Sequence, residues 1–101
     1  MCVLDVGCGT GRHVRAFLDY GVDPQNVYGI DIRESALAVG RRLSPHLRLE
    51  LFDGITIPFK DGQFDLVTQH SVVCSKLSPH LRRRVTAEMW RVLAPGGFVL
   101  V

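Results

Sequence analysis

The chain reads as a single α/β domain built on a doubly wound parallel sheet of five strands. Three observations predict this. Short apolar runs alternate with segments of helical period along all 101 residues, the pattern of β-α-β units. The first apolar run, V-L-D-V, passes straight into three alternating glycines, Gly7, Gly9 and Gly11. An acidic residue, Asp31, ends the second apolar run 20 positions beyond Gly11, where a ribose hydroxyl pair needs an acceptor.

The elements follow in order. Strand one is expected over Cys2 to Val6, and a helix from about Gly11 to Tyr20 with Val14, Phe17 and Leu18 on one face and Gly21 as its C-cap. Asp23-Pro24 marks the return turn to strand two, Val27 to Ile30. The next helix, Glu34 to Leu43, turns Ala36, Leu37, Val39, Gly40 and Leu43 inward and stops at Ser44-Pro45. Strand three, about Leu47 to Phe52, alternates leucines with Arg48 and Glu50, which is how an edge strand reads. Strand four is Phe64 to Thr68, followed by a short irregular or helical stretch over Ser71 to Leu77. Ser78 caps and Pro79 opens a helix that carries Leu81, Val85, Met89, Val92 and Leu93 on one stripe. Glu88 is expected on its wet side, paired with Arg84 and Arg91, and Pro95-Gly96-Gly97 ends it. Strand five, Phe98 to Val101, is wholly apolar, so a further strand of a longer chain, or a partner chain in a dimer, is expected beside it.

Composition narrows the function classes. With 47% apolar residues the chain suits a globular core, and no apolar run approaches the ~20 residues of a membrane span. Twelve basic against ten acidic residues leave a net charge of +2, too little to indicate nucleic acid, and Arg82, Arg83 and Arg84 read as a solvated helix face. No basic-then-apolar signal stretch opens the chain, so the expected compartment is the cytoplasm. Cys2, Cys8 and Cys74 lack C-x-x-C spacing and are expected to be reduced core thiols. His13, His46, His70 and His80 are scattered, so no metal site is expected.

Glycines after a first strand build a backbone-lined floor for a nucleotide-like ligand, with the following helix aiming N–H groups at an anion. Dinucleotides and S-adenosylmethionine compete for this architecture. The dinucleotide fingerprint G-x-G-x-x-G wants a small third residue where the helix presses on the strand, but that position here is Arg12; the spacing is G-x-G-x-G. Asp5 is costly in a strand, and a cationic ligand would explain it, although it also reads as an acceptor for loop N–H groups.

The run D-V-G-C-G-T-G, Asp5 to Gly11, resembles the first motif of the class I S-adenosylmethionine-dependent methyltransferases. Y-G-I-D-I ending beyond Asp31, F-D-G at 52–54 with I-P-F at 57–59, F-D-L-V-T-Q-H at 64–70 and E-M-W-R-V-L-A-P-G-G at 88–97 resemble the family's later segments in order. The resemblance implies a Rossmann-like sheet in the order 3-2-1-4-5, shortened by the last two strands of the full fold, with residues 1–101 as the cofactor-binding core. It implies that Asp31 accepts from both ribose hydroxyls, that Ile32 packs on adenine, that Asp53 takes the adenine amino group and that the Gly54 N–H faces the ring. Gly7, Cys8, Gly9 and Gly11 would line the cofactor through their backbone, with Asp5 and Gln69 beside it. Asp53-Gly54 reads equally as a turn pair, Asp65 as structural, and Cys8 as a small space filler.

Methyl transfer asks mainly for orientation and a dry site. His70, directly after strand four, is the candidate catalytic base, and its alternative reading is a residue that only shapes the pocket. Gln69 and Ser71 are candidates for orienting an acceptor. The family's amino-methyltransferases often carry N-P-P-[YF] after strand four, where this chain has Q-H-S-V, so the resemblance implies a small-molecule acceptor rather than an adenine or a glutamine amide. Two other functions stay open: a non-catalytic binding or assembly module of the same fold, and a nicotinamide-dependent oxidoreductase.

Overall fold

A computed structural model describes residues 1–69 and 78–100. β1 (Val3–Val6) is buried at all four positions and feeds the glycine loop, which opens α1 (Arg12–Asp19). A single 3₁₀ turn, Pro24–Asn26, starts where the Asp23 carboxylate accepts from the Gln25 N–H, and it delivers the chain to β2 (Val27–Asp31). α2 (Glu34–Leu43), β3 (Arg48–Leu51), β4 (Phe64–Gln69), α3 (Pro79–Val92) and β5 (Leu93–Leu100) complete the fold. The sheet is parallel throughout in the order β3-β2-β1-β4-β5, with β3 at an edge as its alternating pattern predicts. Strand order reverses at β1, so the carboxyl ends of β1 and β4 flank the crevice where such sheets take their ligands.

Side-chain alternation divides the core between the two faces. Leu4, Val6, Ile30, Phe64 and Val67 pack with Val85, Met89 and Val92 of α3, whereas Val27 and Leu49 pack with Val14 of α1 and Leu37 of α2. Each wholly buried side chain of this size contributes about 1.5–3 kcal/mol against its exposed state. Edge-to-face packing among Tyr28, Phe59 and Phe64, with ring centroids 5.2–5.5 Å apart, carries the first cluster under the loop after β3.

The structure corrects three expectations. α3 ends at Val92, and Leu93 already pairs with Phe64. Pro95-Gly96-Gly97 lies inside β5 as an irregularity between the Phe64↔Leu93 and Leu66↔Phe98 pairs, because Pro95 lacks a ladder donor and Gly96 takes φ 81°. Glu88 is not on the wet side of α3 but 8% exposed, held by Arg91 and the Ile57 N–H, while Arg84 turns to the Ile55 carbonyl. Leu43, expected to face inward, is 62% exposed at the last residue of α2, where the chain already turns toward β3.

Candidate cofactor site

The glycine loop is tied to the end of β2 by its own N–H groups. Gly7 and Cys8 both donate to the Ile30 carbonyl at 2.8 and 3.0 Å, Gly9 donates to Asp31 Oδ2 at 2.8 Å, and Gly11 donates to the Cys8 carbonyl at 2.9 Å. That path requires φ of 78°, 57° and 89° at Gly7, Gly9 and Gly11, values that side chains resist. α2 approaches the loop from behind at Gly40, where an added Cβ would lie 2.7 Å from the Thr10 carbonyl oxygen. Ahead of Gly9 the space is open among the described residues: an added Cβ would meet only Arg33 Nη2 of these, at 3.5 Å. Four loop donors are therefore spent inside the protein. A pyrophosphate would need such donors; a sulfonium does not.

Asp31 is 3% exposed at the carboxyl end of β2. Besides Gly9, its carboxylate accepts from the Arg33 backbone N–H at 2.9 Å and from Arg33 Nε and Nη2 at 3.2 and 3.4 Å. Burial alone pushes its carboxyl up, but the Arg33 side chain and the two backbone donors outweigh it and hold it below the ordinary carboxylate value. Asp5, fully buried on β1, accepts from the Thr68 hydroxyl at 2.8 Å. Between them Cys8 is buried, its thiol pushed up to about 12 by burial and then by the Asp5 and Asp31 charges, so it is a neutral space filler.

Ile32 is 54% exposed, an open apolar surface beside Asp31, and a Cβ at Gly54 would lie 3.4 Å from its Cγ2. Asp53 follows at the same rim. Its Oδ1 accepts from the Ile55 and Thr56 N–H groups, both at 2.8 Å, which folds the loop and, with Thr56 first, holds the carboxyl below its ordinary value. Gln69, buried at the end of β4, borders a cleft of about 510 Å³ that His13, Phe17, Tyr20, Thr68 and Leu100 also line. Asp65 accepts from the Cys2 N–H at the opposite end of the sheet, in keeping with a structural role. His70, Ser71 and Cys74 lie outside the described residues.

The fold thus gathers Asp5, the glycine loop, Asp31, Ile32, Gly54 and Gln69 along one rim, with Asp53 beside them. Reasoning from sequence missed Arg33, Thr68 and His13. Arg33 follows Asp31 by two residues and Thr68 faces Asp5 across the β1–β4 ladder, so both were reachable once strand order was drawn. His13 carried no signal beyond its place in the first turn of α1. An open cradle at Gly9, a buried carboxylate at its side and an exposed aliphatic surface next to it fit a nucleoside bearing a cationic tail.

Comparison with known proteins points to the same class of ligand. Residues 4–101 match the family described as "Methyltransferase domain". The chain is 35% identical to a demethylmenaquinone methyltransferase of Renibacterium salmoninarum, over 98% of the chain and 39% of that protein. It is 41% identical to a ubiquinone/menaquinone biosynthesis C-methyltransferase of Bordetella avium, over 100% of the chain and 40% of that protein. An amino pentose methyltransferase of Micromonospora echinaspora, solved with S-adenosylmethionine bound, superposes with a TM-score of 0.83 at 34% identity, over 97% of the chain and 41% of that protein. The chain spans well under half the length of each. It belongs to the class I S-adenosylmethionine-dependent methyltransferases.

Proposed function

We propose that the protein moves a methyl group from S-adenosylmethionine to a small-molecule acceptor, and that residues 1–101 are its cofactor-binding core. The observation that carries the site is Asp31: a carboxylate drawn out of water, pinned to Gly9 and facing the open cradle. In this reading Asp31 accepts from the ribose hydroxyls, Ile32 packs on the adenine, the Gly54 N–H faces the ring, and Asp53 offers its remaining oxygen to the adenine amino group. Gly7, Cys8, Gly9 and Gly11 give the cofactor a floor without side chains, and the buried Asp5 charge favours a cation above it. The absence of spare N–H groups at four loop positions weighs against a dinucleotide.

When bound, the cofactor would supply a sulfonium-activated methyl to an oxygen, nitrogen, sulfur or carbon nucleophile of the acceptor, the sulfonium becoming a neutral thioether. The chain's part is to orient, to exclude water and, where the acceptor carries a proton, to remove it; His70 is the proposed base and Gln69 an orienting group. Relatives named for demethylmenaquinone and for ubiquinone or menaquinone biosynthesis make a quinone-type compound the first acceptor to test.

Titration calorimetry with S-adenosylhomocysteine tests the site. Asp31→Ala removes two charge-assisted acceptors and should weaken binding by about 2–4 kcal/mol, roughly 100-fold, with the fold retained. Unchanged affinity in that variant removes the site.

A further inference from the structure

Arg33 sits where the proposed ribose should go. It is the residue just before α2, and its backbone N–H already donates to Asp31 Oδ1. Its guanidinium then turns back over the same carboxylate, with Nε 3.2 Å from Oδ1 and Nη2 3.4 Å from Oδ2. The same Nη2 lies 3.5 Å from the position a Cβ on Gly9 would take, so the side chain roofs both the carboxylate and the glycine cradle. Among the described residues Asp31 is the only hydrogen-bonding partner of this guanidinium, and the side chain is 61% exposed.

A carboxylate offers about four acceptor positions. At Asp31 the Gly9 and Arg33 backbone N–H groups take two from the interior, and the guanidinium takes the two that face outward. A ribose diol brings two hydroxyl donors and needs those same two. The geometry points to Arg33 as a built-in competitor for the ribose seat: the cofactor binds by displacing the guanidinium from Asp31, exchanging an ion pair for two ribose hydrogen bonds. This rests on the reading of Asp31 given above. Because the backbone donors of Gly9 and Arg33 stay in place during the exchange, Asp31 keeps its position whichever partner it holds.

The competition lowers affinity by the strength of an ion pair whose arginine is largely in water, which is small, and it is sensitive to salt. Calorimetry with S-adenosylhomocysteine on the wild-type chain, Arg33→Gln, Arg33→Lys and Asp31→Ala reads it, with melting curves to check the fold. Arg33→Gln should bind about two- to fivefold more tightly than wild type, and Arg33→Lys, which keeps the charge but loses the planar fork, should fall between them. Wild-type affinity should rise with sodium chloride as the pair is screened, and that slope should vanish in Arg33→Gln. Equal or weaker binding by a folded Arg33→Gln, with binding lost in Asp31→Ala, leaves the seat in place and overturns the competition. Unchanged binding in Asp31→Ala overturns the seat itself.

Discussion

Asp31 and Glu88 are both carboxylates taken almost wholly out of water, and each faces an arginine within three residues along the chain. Their partners separate them. Glu88 accepts from the Ile57 N–H at 2.9 Å and from Arg91 Nε at 2.7 Å, and Arg91 continues to the Ile57 and Phe59 carbonyls and to Asp61. The Gly62 N–H donates back to the Arg91 carbonyl. That network fastens α3 to the loop after β3 and leaves the arginine no unsatisfied direction. Among the described residues Arg33 has no such second set of bonds, and its carboxylate lies against an open cradle. Burial and an arginine are common to both; a partner that can leave, next to space that a ligand can fill, belongs to Asp31 alone.

The largest expected effect breaks the fastened pair. Arg91→Ala would strand a buried carboxylate and two carbonyls, and because Arg91 is itself part-exposed the loss should be about 2–3 kcal/mol, toward the lower end for a broken buried pair. Thermal unfolding should show it as a fall of roughly 10–20 °C. Arg33→Ala should cost less than about 1 kcal/mol by the same measurement, as exposed pairs do. Equal losses in the two variants would erase the distinction.

Gly40→Ala comes next and probes the Asp31 side from behind. Its methyl would sit 2.7 Å from the Thr10 carbonyl oxygen and 2.6 Å from Leu49 Cδ1. Overpacking of this kind costs about 1–3 kcal/mol. Since the obstruction is loop backbone, the variant should also weaken S-adenosylhomocysteine binding, which a defect confined to the α2–β3 packing would not do.

Acid sharpens the contrast further. Arg91 first, and then the Ile57 N–H, hold the Glu88 carboxyl below its ordinary value of 4.5 despite burial. A carboxyl lowered in the native state contributes stability that is complete above the ordinary value and is lost as pH falls through the native one. Glu88→Gln should therefore lower stability at neutral pH and flatten the decline in acid, as followed by denaturant melts across that range. Despite burial, Asp31 is lowered in the same sense, by the Arg33 side chain and then by the Arg33 and Gly9 backbone N–H groups.

Much of the Asp31 side was legible in the chain. Glycine spacing, an acidic residue at the end of an apolar run and alternation in β3 are local signals, and each marks a backbone event that the fold cannot avoid. The Glu88 side was not, because a glutamate on an amphipathic helix reads as solvated unless its partners are known, and Ile57 and Asp61 lie about 30 residues away in the chain. Pro95-Gly96-Gly97 misled for a related reason: the same residues that end helices also permit a slipped ladder, and only pairing with β4 distinguishes the two. Arg33 escaped notice because an arginine before a helix carries no pattern of its own.

The smallest effect concerns Cys8, which lies close enough to Asp31 to feel its charge. Burial is the main reason its thiol is raised to about 12, followed by Asp5 and then Asp31. At mildly alkaline pH the thiolate, the form that reacts, is rare there, so alkylation of Cys8 in the folded chain should be far slower than that of an ordinary cysteine near 8.5. Asp31→Asn removes the weakest of the three causes and should raise the Cys8 rate modestly, by a factor of a few, when modification is resolved peptide by peptide. Glu88→Gln removes a charge that does not act on Cys8 and should leave the rate unchanged once corrected for the fraction unfolded. A rise with Glu88→Gln as large as with Asp31→Asn would mean that Cys8 reports general loosening rather than the charge at the cradle.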